Sequence, residues 1–172
     1  MVDKITLQRI ELLHPAIKDK VASAYDKACQ RLTGRATLRF AYTLRTFSEQ
    51  DNLFALGRTV VKDAKGKKVG IVTNAKGGQS FHNYGLAWDI VLIIDGKEAS
   101  WDTLKDFDGD RVADWMEAVD EFKKIGAEWG GDWKGSLNDK PHFQISFGYT
   151  WKHLLEKYNA GDFIPGTRYV KL

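Results

Sequence analysis

Leu86-Ala87-Trp88-Asp89-Ile90-Val91-Leu92-Ile93-Ile94 reads as a buried strand, because Asp89 alone interrupts an apolar run. Asp95-Gly96 follows at once, a tight-turn pair that brings the next strand back antiparallel. Upstream, Leu38, Phe40, Tyr42 and Leu44 alternate with Thr37, Arg39, Ala41, Thr43 and Arg45, which predicts a strand with one buried face. Downstream, Phe143 to Phe147 reads as another short strand. Helices lie between them. Pro15 suits the first position of one whose stripe is Ile17, Val21, Ala24, Ala28 and Leu32, ending at Gly34. Ser48 opens a short helix that Gly57 closes, and Asp110 caps one with Trp115, Val119 and Phe122 inward, ending at Gly126. Thr150 caps the last, which runs through Tyr158. Residues 62–80, rich in glycine and lysine, read as an exposed hairpin or loop. Antiparallel strands and helices mix without a βαβ rhythm, so the class is α+β: a small antiparallel sheet with flanking helices.

The bulk properties narrow the function. At 172 residues the sequence suits one domain, 1–172, large enough to bury a core without disulfides. A metal here would therefore serve chemistry rather than folding. The net charge of +3 is scattered among acids, with no basic run to argue for nucleic acid. Cys29 is the only cysteine, which excludes an internal disulfide and a cysteine-built zinc site. No apolar run has the length of a membrane span, so no stable membrane insertion is expected, and a monomer is. Asp3, Lys4, Arg9 and Glu11 break up the first fifteen residues, leaving no signal-peptide core.

The chemistry gathers around two of the four histidines. His82 follows a glycine-rich stretch, and Asp89 lies seven positions on, inside the apolar strand. A carboxylate there is costly to bury unless it is paired or bound to a cation. His142 follows Pro141, with Asp139 three residues before it. Two imidazoles and one carboxylate form a common catalytic zinc set with one position left open, and a nearby second carboxylate can move a proton. From the residues alone, a second reading stands beside this one: Asp89 paired with Arg39 or Arg45, and two structural histidines. His14 reads as a helix-entry residue and His153 as a solvated one.

Three blocks add a resemblance. Ser80-x-His82-x-x-Gly85-x-Ala87-x-Asp89, Glu128-Trp129-Gly130-Gly131-Asp132-Trp133 and Asp139-x-Pro141-His142-Phe143 resemble the M15 family of zinc peptidases, above all its L-alanyl-D-glutamate endopeptidase branch of phage endolysins and bacterial wall hydrolases. Leu13-His14-Pro15, Arg45-Thr46 with Gln50, and Gly57-Arg58-Thr59 extend the likeness in the same order. The resemblance implies an M15/VanY-like, Hedgehog-type fold with no separate wall-binding domain. It implies Zn2+ on His82, Asp89 and His142, Asp139 as acid/base, and Arg45 facing the substrate carbonyl or carboxylate. Ser80 and Gln50 would stand beside these groups. Trp129 and Trp133 would line the groove, with simple core packing as the other reading. The implied activity is cleavage of L-alanyl-D-glutamate in bacterial peptidoglycan. A D-alanyl-D-alanine carboxypeptidase or dipeptidase, and a catalytically silent metal- or wall-binding module, are the alternatives. Such an enzyme would be made in the cytoplasm and act on the wall after release or dedicated export.

One motif stands outside this picture. Asp106, Asp108, Asp110, Asp114 and Glu117 fall at the offsets of a calcium loop, but Arg111 occupies the position where such loops need glycine. A capped acidic turn and an irregular calcium site both fit.

Overall fold

A computed structural model describes residues 3–135 and 138–172. Its helices are α1 (Lys4–Ile10), α2 (Pro15–Arg31), α3 (Phe47–Ala55), α4 (Asp114–Lys124) and α5 (Trp151–Asn159). Its strands are β1 (Ala36–Tyr42), β2 (Ala87–Ile94), β3 (Glu98–Ser100), β4 (Glu128–Trp129) and β5 (His142–Gln144), ordered β1-β2-β5-β4 and antiparallel throughout. The α+β expectation holds. Asp95 and Gly96 both take positive φ, 50° and 69°, and turn β2 back into β3.

β2 is the central strand, and its two faces have different work. Successive side chains point to opposite sides. Trp88, Ile90, Leu92 and Ile94 join the core with Leu38, Phe40 and Phe143. Ile17, Val21, Ala24 and Ala28 of α2 and Trp115, Val119 and Phe122 of α4 close that core from the helical side. The Trp88 ring stacks on Phe143 at 5.8 Å and meets Phe122 edge-on at 5.3 Å. Asp89, one position out of phase with Trp88, falls on the opposite face. That phase lets an apolar strand carry a carboxylate.

Four local readings needed correction. β1 does not keep its alternation to Leu44. A bulge between Phe40 and Tyr42 shifts the register, so Tyr42 is exposed and Thr43 is buried instead. Arg45 therefore lies beyond the strand rather than on its polar face. Thr46, not Ser48, caps α3, through a reciprocal bond pair with Glu49. Ala113 precedes α4 with no side-chain cap, so Asp110 is not the cap either. β5 begins at His142 and ends at Gln144, short of Phe147, whose φ of 49° belongs to a turn.

α1 had no sequence signal strong enough to read. Asp3 caps it through the Thr6 N–H at 2.9 Å and binds Arg39 of β1 at 2.8 and 3.1 Å, joining helix to sheet. Burial alone would raise the Asp3 carboxyl. Arg39 and Thr6 outweigh it and hold the group below its ordinary 3.8. A carboxyl depressed on folding stabilises above its unfolded pKa and stops doing so as pH falls through the folded one. Asp3→Ala should therefore cost about 2 kcal/mol near neutrality. The difference from wild type should shrink as melts move below the ordinary carboxylate pKa.

Candidate metal centre

The His82 turn is built from backbone pairings. Residues Phe81–Tyr84 form one 3-10 turn capped by Ser80, whose Oγ accepts the His82 N–H at 3.3 Å. Asn83 Oδ1 accepts the Ser80 N–H at 3.2 Å, and Asn83 Nδ2 donates to the Arg45 carbonyl at 2.9 Å. Gly85 ends the turn at φ 70°, and a Cβ there would lie 2.9 Å from the His14 nitrogen, so glycine is required. His14 itself caps α2 through Nδ1 and reaches the Val170 carbonyl through Nε2, so it ties the chain ends together.

Strand pairing supplies the other two groups. Asp89 of β2 stands directly opposite His142 of β5, so both side chains project from the same face. The result is a triangle: His82 Nε2 to Asp89 Oδ1 is 3.2 Å, His142 Nδ1 to Asp89 Oδ1 is 3.3 Å, and His82 Nε2 to His142 Nδ1 is 3.2 Å.

The partners on the far sides of the rings decide what this triangle is. His82 Nδ1 lies 2.6 Å from the Thr43 carbonyl, which can only accept, so Nδ1 carries the proton and Nε2 presents a lone pair. Gln144 Nε2 donates to Glu128 Oε2 at 3.1 Å, which turns Gln144 Oε1 toward His142 Nε2 at 3.0 Å. His142 Nε2 must then donate, and its Nδ1 also presents a lone pair. Three acceptors thus converge with no donor between them. Tetrahedral bonds of about 2.0–2.1 Å from a zinc ion imply edges of about 3.3–3.4 Å between its ligands. Donor set and spacing both fit a bound metal. Without one, burial would lower His142 and raise Asp89. The neighbours outweigh burial: His82 and His142 hold the Asp89 carboxyl well below the usual range, and Asp89 with Gln144 raises the His142 imidazole.

The triangle opens into a pocket of about 530 Å³ lined by Arg45, Ser80, Trp133, Asp139 and Gln144 among others. Arg45, only 11% exposed, is the sole Lys or Arg among the described lining residues. Gln50 Oε1 accepts from it at 2.8 Å, its guanidinium stands over the Tyr42 ring, and one nitrogen lies 3.7 Å from Asp89 Oδ2. Asp139 sits on the rim with one side open to solvent. Burial against the wall and the Asp89 charge raise its carboxyl above the ordinary value, against the pull of His142, His82 and Arg45. Its backbone is tightly held: the Asp139 N–H donates to the Gly130 carbonyl at 2.9 Å, and the His142 N–H to the Asp139 carbonyl at 3.1 Å. A Cβ at position 130 would collide with that carbonyl at 2.3 Å, so Gly130 serves this approach, while a Cβ at position 131 would meet the Trp129 indole at 2.2 Å.

The tryptophan pair divides. Trp133 lies in the wall, its ring 5.2 Å from His142. Trp129 does not line the groove: it is buried, stacked beside Phe143, and donates its indole N–H to the Lys140 carbonyl at 2.7 Å. It supports the turn between Asp139 and His142. The sequence reading missed Gln144 and Glu128. A polar residue two positions after a ligand on the same strand face was the available signal. Gln144→Ala should weaken metal binding by about 10–100-fold, measured by chelator competition, because the His142 tautomer is then no longer fixed.

A family model described as D-alanyl-D-alanine carboxypeptidase matches residues 73–145, which span His82, Asp89, Asp139 and His142. The peptidoglycan L-alanyl-D-glutamate endopeptidase CwlK of Bacillus subtilis (strain 168) is 38% identical over 133 residues, 77% of this chain and 73% of that protein. This chain belongs to the M15 peptidase family. M15 enzymes are metallopeptidases, and the chain offers a His/Asp metal site where the family model matches. The L-alanyl-D-glutamate peptidase of Listeria phage A118 is 36% identical over 72 residues, 41% of this chain but 23% of that protein. Serratia marcescens ChiX, an L-Ala D-Glu endopeptidase, shares the fold, with a TM-score of 0.56 at 20% identity over 85% of this chain and 90% of that one. Among the described residues no helix is long and apolar enough to cross a membrane.

Proposed function

We propose that this M15 peptidase hydrolyses the L-alanyl-D-glutamate bond of peptidoglycan stem peptides, with zinc held by His82 Nε2, His142 Nδ1 and Asp89. The observation that carries the reading is the triangle of converging acceptors beside Asp139 and Arg45. Zinc in such a site polarises a carbonyl and lowers the pKa of water. The chain's own residues do the rest. Thr43 and Gln144 keep both imidazoles in the tautomer that faces the centre. Asp139, in the pocket wall beside the triangle, takes a proton from the attacking water and returns it to the leaving amine. Arg45, already fixed by Gln50, offers its guanidinium to the developing oxyanion or to a substrate carboxylate. The glutamate half of the bond would bring a carboxylate within reach of Arg45, the one guanidinium among the described wall residues.

The match to a carboxypeptidase-described model favours one alternative, removal of the terminal D-alanine. Mass spectrometry of peptidoglycan digested by the zinc-loaded protein separates the two. Stems that begin with a free glutamate amine are the expected product. Loss of terminal alanine alone would establish the carboxypeptidase, and an intact wall would point to a silent binding module.

A further inference from the structure

The acidic segment Asp106–Glu117 lies outside the catalytic pocket, and the peptidase reading gives it no role. Asp106, Asp108 and Asp114 offer carboxylate oxygens that all lie within 4.8 Å of one another, and so do Asp108, Asp110 and Glu117. Asp108 belongs to both groups and joins them. Asp114 and Glu117 are buried, at 0% and 2% exposure, and sit one turn apart on the same side of α4. Asp114 Oδ2 accepts the Phe107 N–H at 2.7 Å, and Glu117 Oε1 accepts from Arg31 at 3.0 Å. Their other oxygens, Asp114 Oδ1 and Glu117 Oε2, are buried without any partner. Leaving two carboxylate oxygens desolvated and unpaired is costly. Arg31 is the only cation paired with the group among the described residues, and it reaches Glu117 alone of the five.

We propose that Asp106, Asp108, Asp110, Asp114 and Glu117 form a calcium site, with the two unpartnered buried oxygens among its ligands. The donors are all oxygen, which suits a hard cation and not a second zinc. Their offsets are those of a calcium loop. The sequence objection, Arg111 in place of glycine, loses its force. Arg111 takes φ 78°, the left-handed conformation that glycine usually provides at that turn. Burial, with the charges of neighbouring aspartates, raises Asp114 and Glu117, as expected of carboxylates crowded together without a cation. Asp108 also accepts from the Thr33 N–H and hydroxyl at 3.1 and 2.9 Å. A bound ion would thus join the start of α4 to the turn between α2 and β1.

Calorimetric titration of the zinc-loaded chain with calcium chloride, paired with thermal melts, tests this. One calcium per chain, a raised Tm and at least tenfold weaker magnesium binding are expected. Asp110→Asn, at an exposed position, should keep the fold, the zinc content and the calcium-free activity, and lose at least tenfold in calcium affinity. His82→Ala should bind calcium like the wild type. No heat and no Tm shift at millimolar calcium would overturn the proposal. So would unchanged binding in Asp110→Asn, or calcium binding lost with His82.

Discussion

Asp139→Asn is expected to lower the rate of stem-peptide cleavage by about 10²–10⁴-fold, the range that general acid–base groups contribute. It should leave zinc content unchanged. The three mutually close acceptor atoms are those of His82, Asp89 and His142, and Asp139 is not among them. The substitution keeps the shape of the side chain. It also leaves the two backbone bonds that anchor the turn, to Gly130 and from His142. What it removes is a carboxyl that burial and Asp89 push above its ordinary value, against the pull of His142, His82 and Arg45. Wild-type cleavage by Asp139→Asn would move the base elsewhere. Loss of zinc would make Asp139 a ligand.

His142→Ala is expected to abolish both activity and zinc binding, well beyond the about 10–100-fold cost of losing an outer partner. The effect should also appear in stability. A metal that binds only the folded state adds RT ln(1 + [L]/Kd), about 4 kcal/mol at a thousandfold excess over Kd. For a chain of this length that corresponds to roughly 8–16 °C in Tm. In calcium-free buffer, chelator should therefore lower the wild-type melt by about that much and leave His142→Ala unmoved. An equal chelator effect on both proteins would place the stabilising metal elsewhere.

The sequence made these groups legible to unequal degrees. Asp89 announced itself as the one polar residue in an apolar strand, and a strand's two-residue period sets it opposite in phase to Trp88; that it faces His142 comes from the register between β2 and β5. The hairpin at Asp95-Gly96 and the apolar stripes of α2 and α4 were equally readable. Where a feature depended on a partner distant in sequence, it was hidden. The bulge after Phe40, which aims the Thr43 carbonyl at His82, arises from register with β2 and has no local signature. Gln144 is an ordinary polar strand residue until Glu128 of β4 fixes its amide. Trp129 and Trp133 look alike in sequence. Position 129 lies in β4 and packs on Phe143, whereas position 133 follows the turn and meets the pocket.

Locating the zinc directly, by anomalous diffraction at its absorption edge, tests the central claim most sharply. One peak at about 2.0–2.2 Å from His82 Nε2, His142 Nδ1 and an Asp89 oxygen is expected. Active crystals with no peak there, or with their zinc on other residues, would contradict it.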